Sequence, residues 1–246
     1  VVDIQKRYKP SGSVILNGIQ TNATLLTEEW GEFLKQEDFV VGVSLDGPEK
    51  YHNLNRRGHN ASLTYHKVIA GLDIIRKYKI PFEILTVISD ANVHSPHELY
   101  HFLKETGAAY ITFLPLVEKV ASGNQAASSL SVRPSDFGKF LSAVFDEWLE
   151  NDIGTVKVQI FEEALRTAFN QEHTLCIFKP VCGGVPVIEM NGDFYSCDHY
   201  VDADHLIGNI GERLLSDMLD DPRQKAFGQN KLTTLPHYCH ECEVLS

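Results

Sequence analysis

No cysteine precedes residue 176, and five then follow in the pattern Cys176-x5-Cys182, Cys197 and Cys239-x2-Cys242. Thiolates at short, turn-compatible intervals let a chain wrap a soft metal centre, because each sulfur must reach one point from a different backbone direction. Cys239-x2-Cys242 is a knuckle that suits zinc or iron and sulfide equally. For zinc, His205, His237 and His240 would be the obvious further ligands. The upstream trio carries more information. Cys176 and Cys182 precede an expected hairpin, with strands over 185–190 and 194–197 around the turn Asn191-Gly192-Asp193, and that turn returns the chain to deliver Cys197. Three thiols on one side and two on the other predict two centres, each short of ligands.

The elements that must position these groups follow from pattern. Residues 13–17 read as a strand. Residues 28–36 read as a helix behind Thr27 as N-cap, and 39–45 as an apolar, β-branched strand of the buried parallel kind. Ser62 is expected to cap a helix to about 79, 82–88 to form a strand, Ser95-Pro96 to open a helix to about 106, and 109–114 to form another strand. Alternating strands and helices predict an α/β fold with a parallel sheet, open or closed. Residues 118–134 read as a long loop, and helices over 135–151 and 159–170 lead to the cysteine-rich module. The expected domains are 1–170 and 171–246. Ser44 and Asp46 fall at the carboxyl end of a strand, where α/β chemistry gathers, although Asp46-Gly47-Pro48 also reads as a plain turn.

Composition bounds the function. With 43% hydrophobic and 22% charged residues over 246 positions, the chain can bury one substantial core plus an appended module. A formal net charge of -11 disfavours nucleic acid and anionic membrane surfaces as partners. No apolar run approaches the roughly 20 residues that span a bilayer. Clustered cysteines without a secretory context favour reduced thiols in a cytoplasm.

The whole pattern resembles the radical S-adenosylmethionine enzymes that carry a SPASM domain, and among them the anaerobic sulfatase-maturating enzymes. The resemblance rests on Gln20-Thr21-Asn22, on 41–48 (Val-Gly-Val-Ser-Leu-Asp-Gly-Pro) with His52 and Arg56, on Cys176, Gly192 and Cys197 as the first part of the auxiliary-cluster signature, on Cys197-Asp198-His199-Tyr200, and on Cys239 and Cys242 as the opening of its second part. The family's CxxxCxxC loop and Gly-Gly-Glu motif are not in these residues. The resemblance therefore implies an internal piece of a longer enzyme, with a further cysteine beyond Ser246 and no S-adenosylmethionine cleavage by residues 1–246 alone. It implies a partial (β/α)6 TIM-like barrel followed by a SPASM-type module with two auxiliary [4Fe-4S] clusters, one on Cys176, Cys182 and Cys197 and one begun by Cys239 and Cys242.

By the same resemblance, Ser44 and Arg56 hold the amino-acid end of S-adenosylmethionine, the Arg56 guanidinium offering a planar fork to its carboxylate. Arg57 is the neighbouring alternative. Leu116 matches an adenine-contacting position, and Gln20 and Asn22 are placed to face substrate or cofactor. Asp198 matches the general base, and desolvation beside a cluster would strengthen it in that role. Without the family, Asp198 reads equally well as a cap on the turn after the hairpin, with His199 and Tyr200 as neighbours. The implied reaction starts when a reduced [4Fe-4S] cluster outside these residues cleaves S-adenosylmethionine. The 5′-deoxyadenosyl radical takes a Cβ hydrogen from a sulfatase cysteine or serine, Asp198 takes a proton, and an electron leaves through the auxiliary clusters, giving Cα-formylglycine. The implied partners are a sulfatase polypeptide and a reduced donor such as flavodoxin or ferredoxin. Another SPASM peptide maturase and a non-catalytic zinc module are the alternatives.

Overall fold

A computed structural model describes residues 1–118, 127–243 and 245. Its contacts divide the chain into two units, Val1–Glu162 and Glu163–Ser246.

In the first unit the order is α1 (Val2–Tyr8), β1 (Gly18–Thr21), α2 (Glu28–Gln36), β2 (Val40–Ser44), α3 (Glu49–Asn55), α4 (Tyr65–Lys77), β3 (Phe82–Ile88), α5 (Pro96–Glu105), β4 (Tyr110–Pro115), α6 (Pro134–Asn151), β5 (Lys157–Val158) and the start of α7 (Gln159–Ala168). The five strands pair in parallel in chain order, β1-β2-β3-β4-β5. Unbroken order is the pattern of a barrel wall; a doubly wound sheet reverses its order at a switch point.

Strand alternation sorts the side chains. Val41, Val43 and Leu45 of the β2 segment, Ile84 and Ile88 of β3, and Ile111 and Phe113 of β4 are buried, and Phe113 meets Phe140 of α6 edge to face at 5.1 Å. The intervening residues share the opposite face. The register aligns Gln20 with Gly42 and Glu83, and Ser44 with Leu85 and Thr112. Burial on that face raises the pKa of Glu83.

Several boundaries are set by partners distant in sequence. Residues 13–17 are irregular, not a strand, with 13–16 exposed: the β1 ladder starts where Asn17 O accepts from Val40 N–H, 3.0 Å. Ser62 does not cap α4. The first turn of α4 is held from a distance by Asn53 Oδ1, which accepts from the Thr64 and Tyr65 N–H groups, both 3.2 Å. Thr27 does cap α2 by accepting from Trp30 N–H, 3.4 Å. Of the expected loop 118–134, residues 119–126 lie outside the described residues. Its described ends are tied by Ser128 N–H to Glu118 O, 2.8 Å, and by Val132 N–H to Leu116 O, 3.0 Å.

The second unit has a three-stranded antiparallel sheet, β6 (Val187–Ile188), β7 (Asp193–Tyr195) and β8 (Leu206–Asn209), then α8 (Leu215–Leu219), α9 (Pro222–Thr233) and α10 (His237–His240). The hairpin is shorter than its sequence suggests but turns at the expected residues. Gly192 has φ +91°, a region other residues rarely adopt, while Asn191 Oδ1 accepts from Asp193 N–H at 3.0 Å. Among the described residues of this unit the buried apolar side chains are Phe194, Ile207 and Met218. So small an apolar core leaves hydrogen bonds, and any metal the unit binds, to add to its order.

Candidate functional site

In the first unit the expected site residues lie at the carboxyl ends of neighbouring strands. Gln20 Nε2 donates to Ser44 Oγ at 3.1 Å. Its side chain lies across Gly42, where an added Cβ would meet Gln20 Oε1 at 1.9 Å. Glycine at 42 therefore clears the path by which Gln20 reaches Ser44. Asn22 is engaged locally, accepting from Thr24 N–H and Oγ1–H at 3.1 and 2.9 Å. Leu116 continues β4, donating its N–H to Ile88 O at 2.8 Å.

Asp46 is more than a turn residue. Its carboxylate is buried and accepts from Arg56 Nε at 2.6 Å, Arg56 Nη2 at 3.0 Å and Val87 N–H at 2.9 Å. The fork expected to be free for a ligand carboxylate is thus partly taken by Asp46. Among the described residues Arg56 Nη1 makes no hydrogen bond. Arg57 is exposed. Asp46 N–H faces His52 Nδ1 at 3.4 Å, and His52 Nε2 lies 3.1 Å from Thr64 Oγ1, which donates to Arg56 O at 2.8 Å. This chain of contacts fixes a neutral His52 that accepts at Nδ1 and donates at Nε2. Burial lowers its pKa to about 4; the Asp46 charge opposes and the Arg56 charge adds to the shift. Sequence reasoning saw the Asp46-Gly47-Pro48 signal and the neighbouring His52 and Arg56, but not that they form one hydrogen-bonded group.

In the second unit Cys176, Cys182 and Cys197 line one cavity of about 530 Å³ together with His199, Tyr200 and Lys231. A larger cavity of about 650 Å³, lined by Thr167, His173 and Phe178 among others, holds no cysteine. The donor set, not the volume, identifies the first as the metal candidate. Cys239 and Cys242 lie outside both cavities, on the turn in which Cys242 N–H donates to Cys239 O at 3.3 Å. All five cysteines are free thiols.

Cys197, Asp198 and His199 bring one ligand atom each within 4.8 Å of one another, the one such group of three among the described residues. Cys197 Sγ donates to Asp198 Oδ1 at 3.3 Å, and His199 Nδ1 lies 3.0 Å from the same oxygen. Burial raises the pKa of the Cys197 thiol, and the Asp198 carboxylate and Cys176 thiol push it further up. A thiol that faces a carboxylate and a second thiol resists ionising, and a metal cation reverses that preference. Within this unit the Asp198 side chain is 60% exposed, on the turn that follows Cys197. His205 lines the same cavity, with its Nδ1 2.6 Å from Asp202 Oδ1, and His237 pairs with Glu241 at 3.3 Å; the close group of three among the described residues includes none of His205, His237 and His240.

Three free thiols on one cavity, in a unit with a minimal apolar core, fit an iron-sulfur cluster. Residues 182–243 match the model of SPASM, an iron-sulfur cluster-binding domain. Among curated proteins, the chain is 37% identical over 257 aligned residues to the serine-type anaerobic sulfatase-maturating enzyme of Bacteroides thetaiotaomicron, covering 99% of this chain and 62% of that one. It is 29% identical to the cysteine-type enzyme of Clostridium perfringens strain 13, covering 99% and 66%. The chain thus spans about three-fifths of the length of such relatives. The solved structure of native anSMEcpe with bound AdoMet and Cp18Cys peptide superposes with a TM-score of 0.88 at 29% identity, covering 98% of this chain and 67% of that one. Streptococcus suis SuiB, at 17% identity and a TM-score of 0.65, shares the fold. Along 99% of its length the chain is related to serine- and cysteine-type anaerobic sulfatase-maturating enzymes, and its residues 182–243 carry the SPASM iron-sulfur cluster-binding domain.

Proposed function

We propose that this chain works in the oxidation of a sulfatase cysteine or serine side chain to Cα-formylglycine. The observation that carries the reading is the convergence of Cys176, Cys182 and Cys197 on one cavity, Cys182 and Cys197 inside the SPASM match and Cys176 just ahead of it, in a chain 37% identical to a serine-type maturase. Bound clusters would supply an electron exit, the role for which a protein lends thiolates and surroundings. Cys176, Cys182 and Cys197 would hold one cluster; Cys239 and Cys242 would begin the other.

Ser44 and Gln20, joined by their hydrogen bond, would face the amino-acid end of S-adenosylmethionine, with Arg56 adding its Nη1 donors and Leu116 lying against the adenine. Domain roles follow the same reading, with residues 1–170 as barrel and 171–246 as cluster module. A sulfatase polypeptide would be the substrate and a reduced flavodoxin or ferredoxin the donor. Five free thiols suit a reducing cytoplasm, and no helix among the described residues is long and apolar enough to cross a membrane.

Asp198 would take the proton from the oxidised side chain. Asp198→Asn keeps its size and most of its hydrogen bonding but cannot accept that proton. Peptide oxidation should fall by about 10²- to 10⁴-fold while iron content and S-adenosylmethionine binding stay at wild-type levels. Formylglycine produced at the wild-type rate would remove Asp198 from the reaction. Zinc without acid-labile sulfide in the anaerobically prepared protein would overturn the enzymatic reading as a whole.

A further inference from the structure

Helix α9 contains no cysteine, yet one of its faces holds all three cysteine-bearing segments of the cavity. Gln224, Gly228 and Lys231 are spaced four and three apart, which aligns them along one side of a helix. Gln224 is 4% exposed, and its Nε2 donates to Gly183 O at 2.9 Å and to Ser196 O at 3.3 Å, the neighbours of Cys182 and Cys197. Gly228 O accepts from Cys182 N–H at 3.0 Å. A Cβ at Gly228 would meet Cys182 O at 2.6 Å, so only glycine lets the two backbones approach. Lys231 Nζ donates to Cys176 O, Ile177 O and Lys179 O at 2.8, 2.7 and 2.6 Å. An ammonium has three protons, and all three serve the turn that carries Cys176.

The helix is itself fixed. Asp221 caps it by accepting from Arg223 N–H at 2.9 Å, and it also binds the Arg213 and Arg223 side chains, at 3.0 and 3.1 Å. Both arginines donate onward to Ile207 O of β8, at 3.1 and 2.6 Å. The Arg223 hydrogen bonds hold the Asp221 carboxyl well below the usual carboxylate range.

We infer that the Gln224-Gly228-Lys231 face of α9 is a template that sets the positions of Cys176, Cys182 and Cys197 before metal arrives, so that these three act as positioning residues for the cluster. The inference rests on the reading of that trio as a cluster site. Preorganised ligands lose less freedom on binding, so loss of the template should appear as lost cluster occupancy with the fold retained.

The test uses anaerobically reconstituted protein and measures iron, acid-labile sulfide and visible absorption, with circular dichroism and thermal melting of the metal-free form. Lys231→Met keeps the stem but frees three carbonyls; it should lose about four iron atoms per chain, the content of one [4Fe-4S] cluster, and leave the metal-free melt unchanged. Cys176 should alkylate faster in the metal-free variant. Lys231→Arg should recover much of the iron. Lys225→Met, on the exposed side of the same helix where Lys225 pairs with Asp220 at 3.0 Å, should match wild type. Gln224→Met fills its space without bonding Gly183 or Ser196 and should reproduce the iron loss.

Wild-type iron in Lys231→Met, or a lowered melt with iron retained, overturns the inference, and so does loss of the metal-free fold in both Lys231→Met and Gln224→Met, which would make α9 an ordinary packing element. Cys176→Ser separates the two levels. If it keeps all its iron, the cluster reading of the trio fails; if it loses iron while Lys231→Met does not, only the template fails.

Discussion

Arg56 is where a ligand-binding role and a structural one can be told apart by measurement. Its guanidinium makes two hydrogen bonds to a carboxylate whose side chain is 8% exposed, while its own is 28% exposed. Removing one partner of a fully buried pair costs about 3–5 kcal/mol, chiefly because the other charge is stranded. Solvent reaches part of Arg56, and Asp46 keeps its bond from Val87 N–H, so Arg56→Ala should cost less, about 2–3 kcal/mol. In urea this lowers the midpoint by about 1 M. Arg57→Ala, one residue along and exposed, should stay within about 0.5 kcal/mol of wild type.

The natural probe is tryptophan fluorescence. The chain has two tryptophans, and both Trp30 and Trp148 lie in the unit Val1–Glu162, so the signal follows that unit alone. Trp148 is fully buried, with its Nε1–H donating to Val156 O at 2.7 Å, and reports its loss of packing directly. Asp46→Asn and the double variant complete a cycle, in which contacting partners couple by about 0.5–3 kcal/mol. If Arg56→Ala and Arg57→Ala shift the midpoint equally, or if the cycle shows no coupling, the contact contributes nothing to the fold and Arg56 is held in reserve for a ligand. A large shift in ligand-free protein shows instead that any ligand must share the guanidinium with Asp46.

Three other outcomes follow from the same geometry. His52 is neutral in the folded state with a pKa of about 4, whereas in the unfolded chain it takes its proton near its ordinary value of about 6.5. Between these values the unfolded state binds more protons, so stability of the first unit should fall as pH drops from about 6.5 to 4, and His52→Gln should flatten that slope in pH-dependent urea titrations. Gly71→Ala would bring a Cβ within 2.2 Å of Ala23 O, a backbone atom that cannot swing away; a loss of about 1–3 kcal/mol is expected from overpacking, read by the same fluorescence. Chelating the metal from reconstituted protein should loosen the segment Glu163–Ser246 while leaving Trp148 packed, because that segment's own core is Phe194, Ile207 and Met218; hydrogen exchange unchanged there on metal removal would refute this.

What could be read from the residues alone was what repeats locally. The helix over Glu28–Gln36 and the strand Phe82–Ile88 were legible to the residue, because an N-cap threonine and a β-branched run act within one element. The hairpin turn was legible because Asn191-Gly192 carries its own backbone preference. The start of α4 was not, since Asn53 caps it from 11 residues away, and neither was β5, two residues long and defined only by its pairing with Tyr110 and Ile111. Site residues divide in the same way. Cysteine spacing announced the thiol trio, and its members do meet on one cavity, whereas the surroundings of Asp198, 60% exposed in this unit, depend on groups that its own segment does not supply.

The least legible part is the one that does most to arrange the thiols. Gln224, Gly228 and Lys231 are ordinary residues in a polar helix, with no motif and no titratable cluster, and their role exists only through carbonyls and N–H groups more than 25 residues away in the chain. A backbone carbonyl has no residue-specific signature, so a side chain that serves carbonyls leaves no trace in spacing. Metal ligands are visible in a sequence because their chemistry resides in the side chain, whereas the groups that aim them act on the backbone and become visible only once it is folded. On the proposed reading, the ligands of this chain lie in the segments around Cys176, Cys182 and Cys197, and their aim lies in a polar helix whose residues carry no such signature.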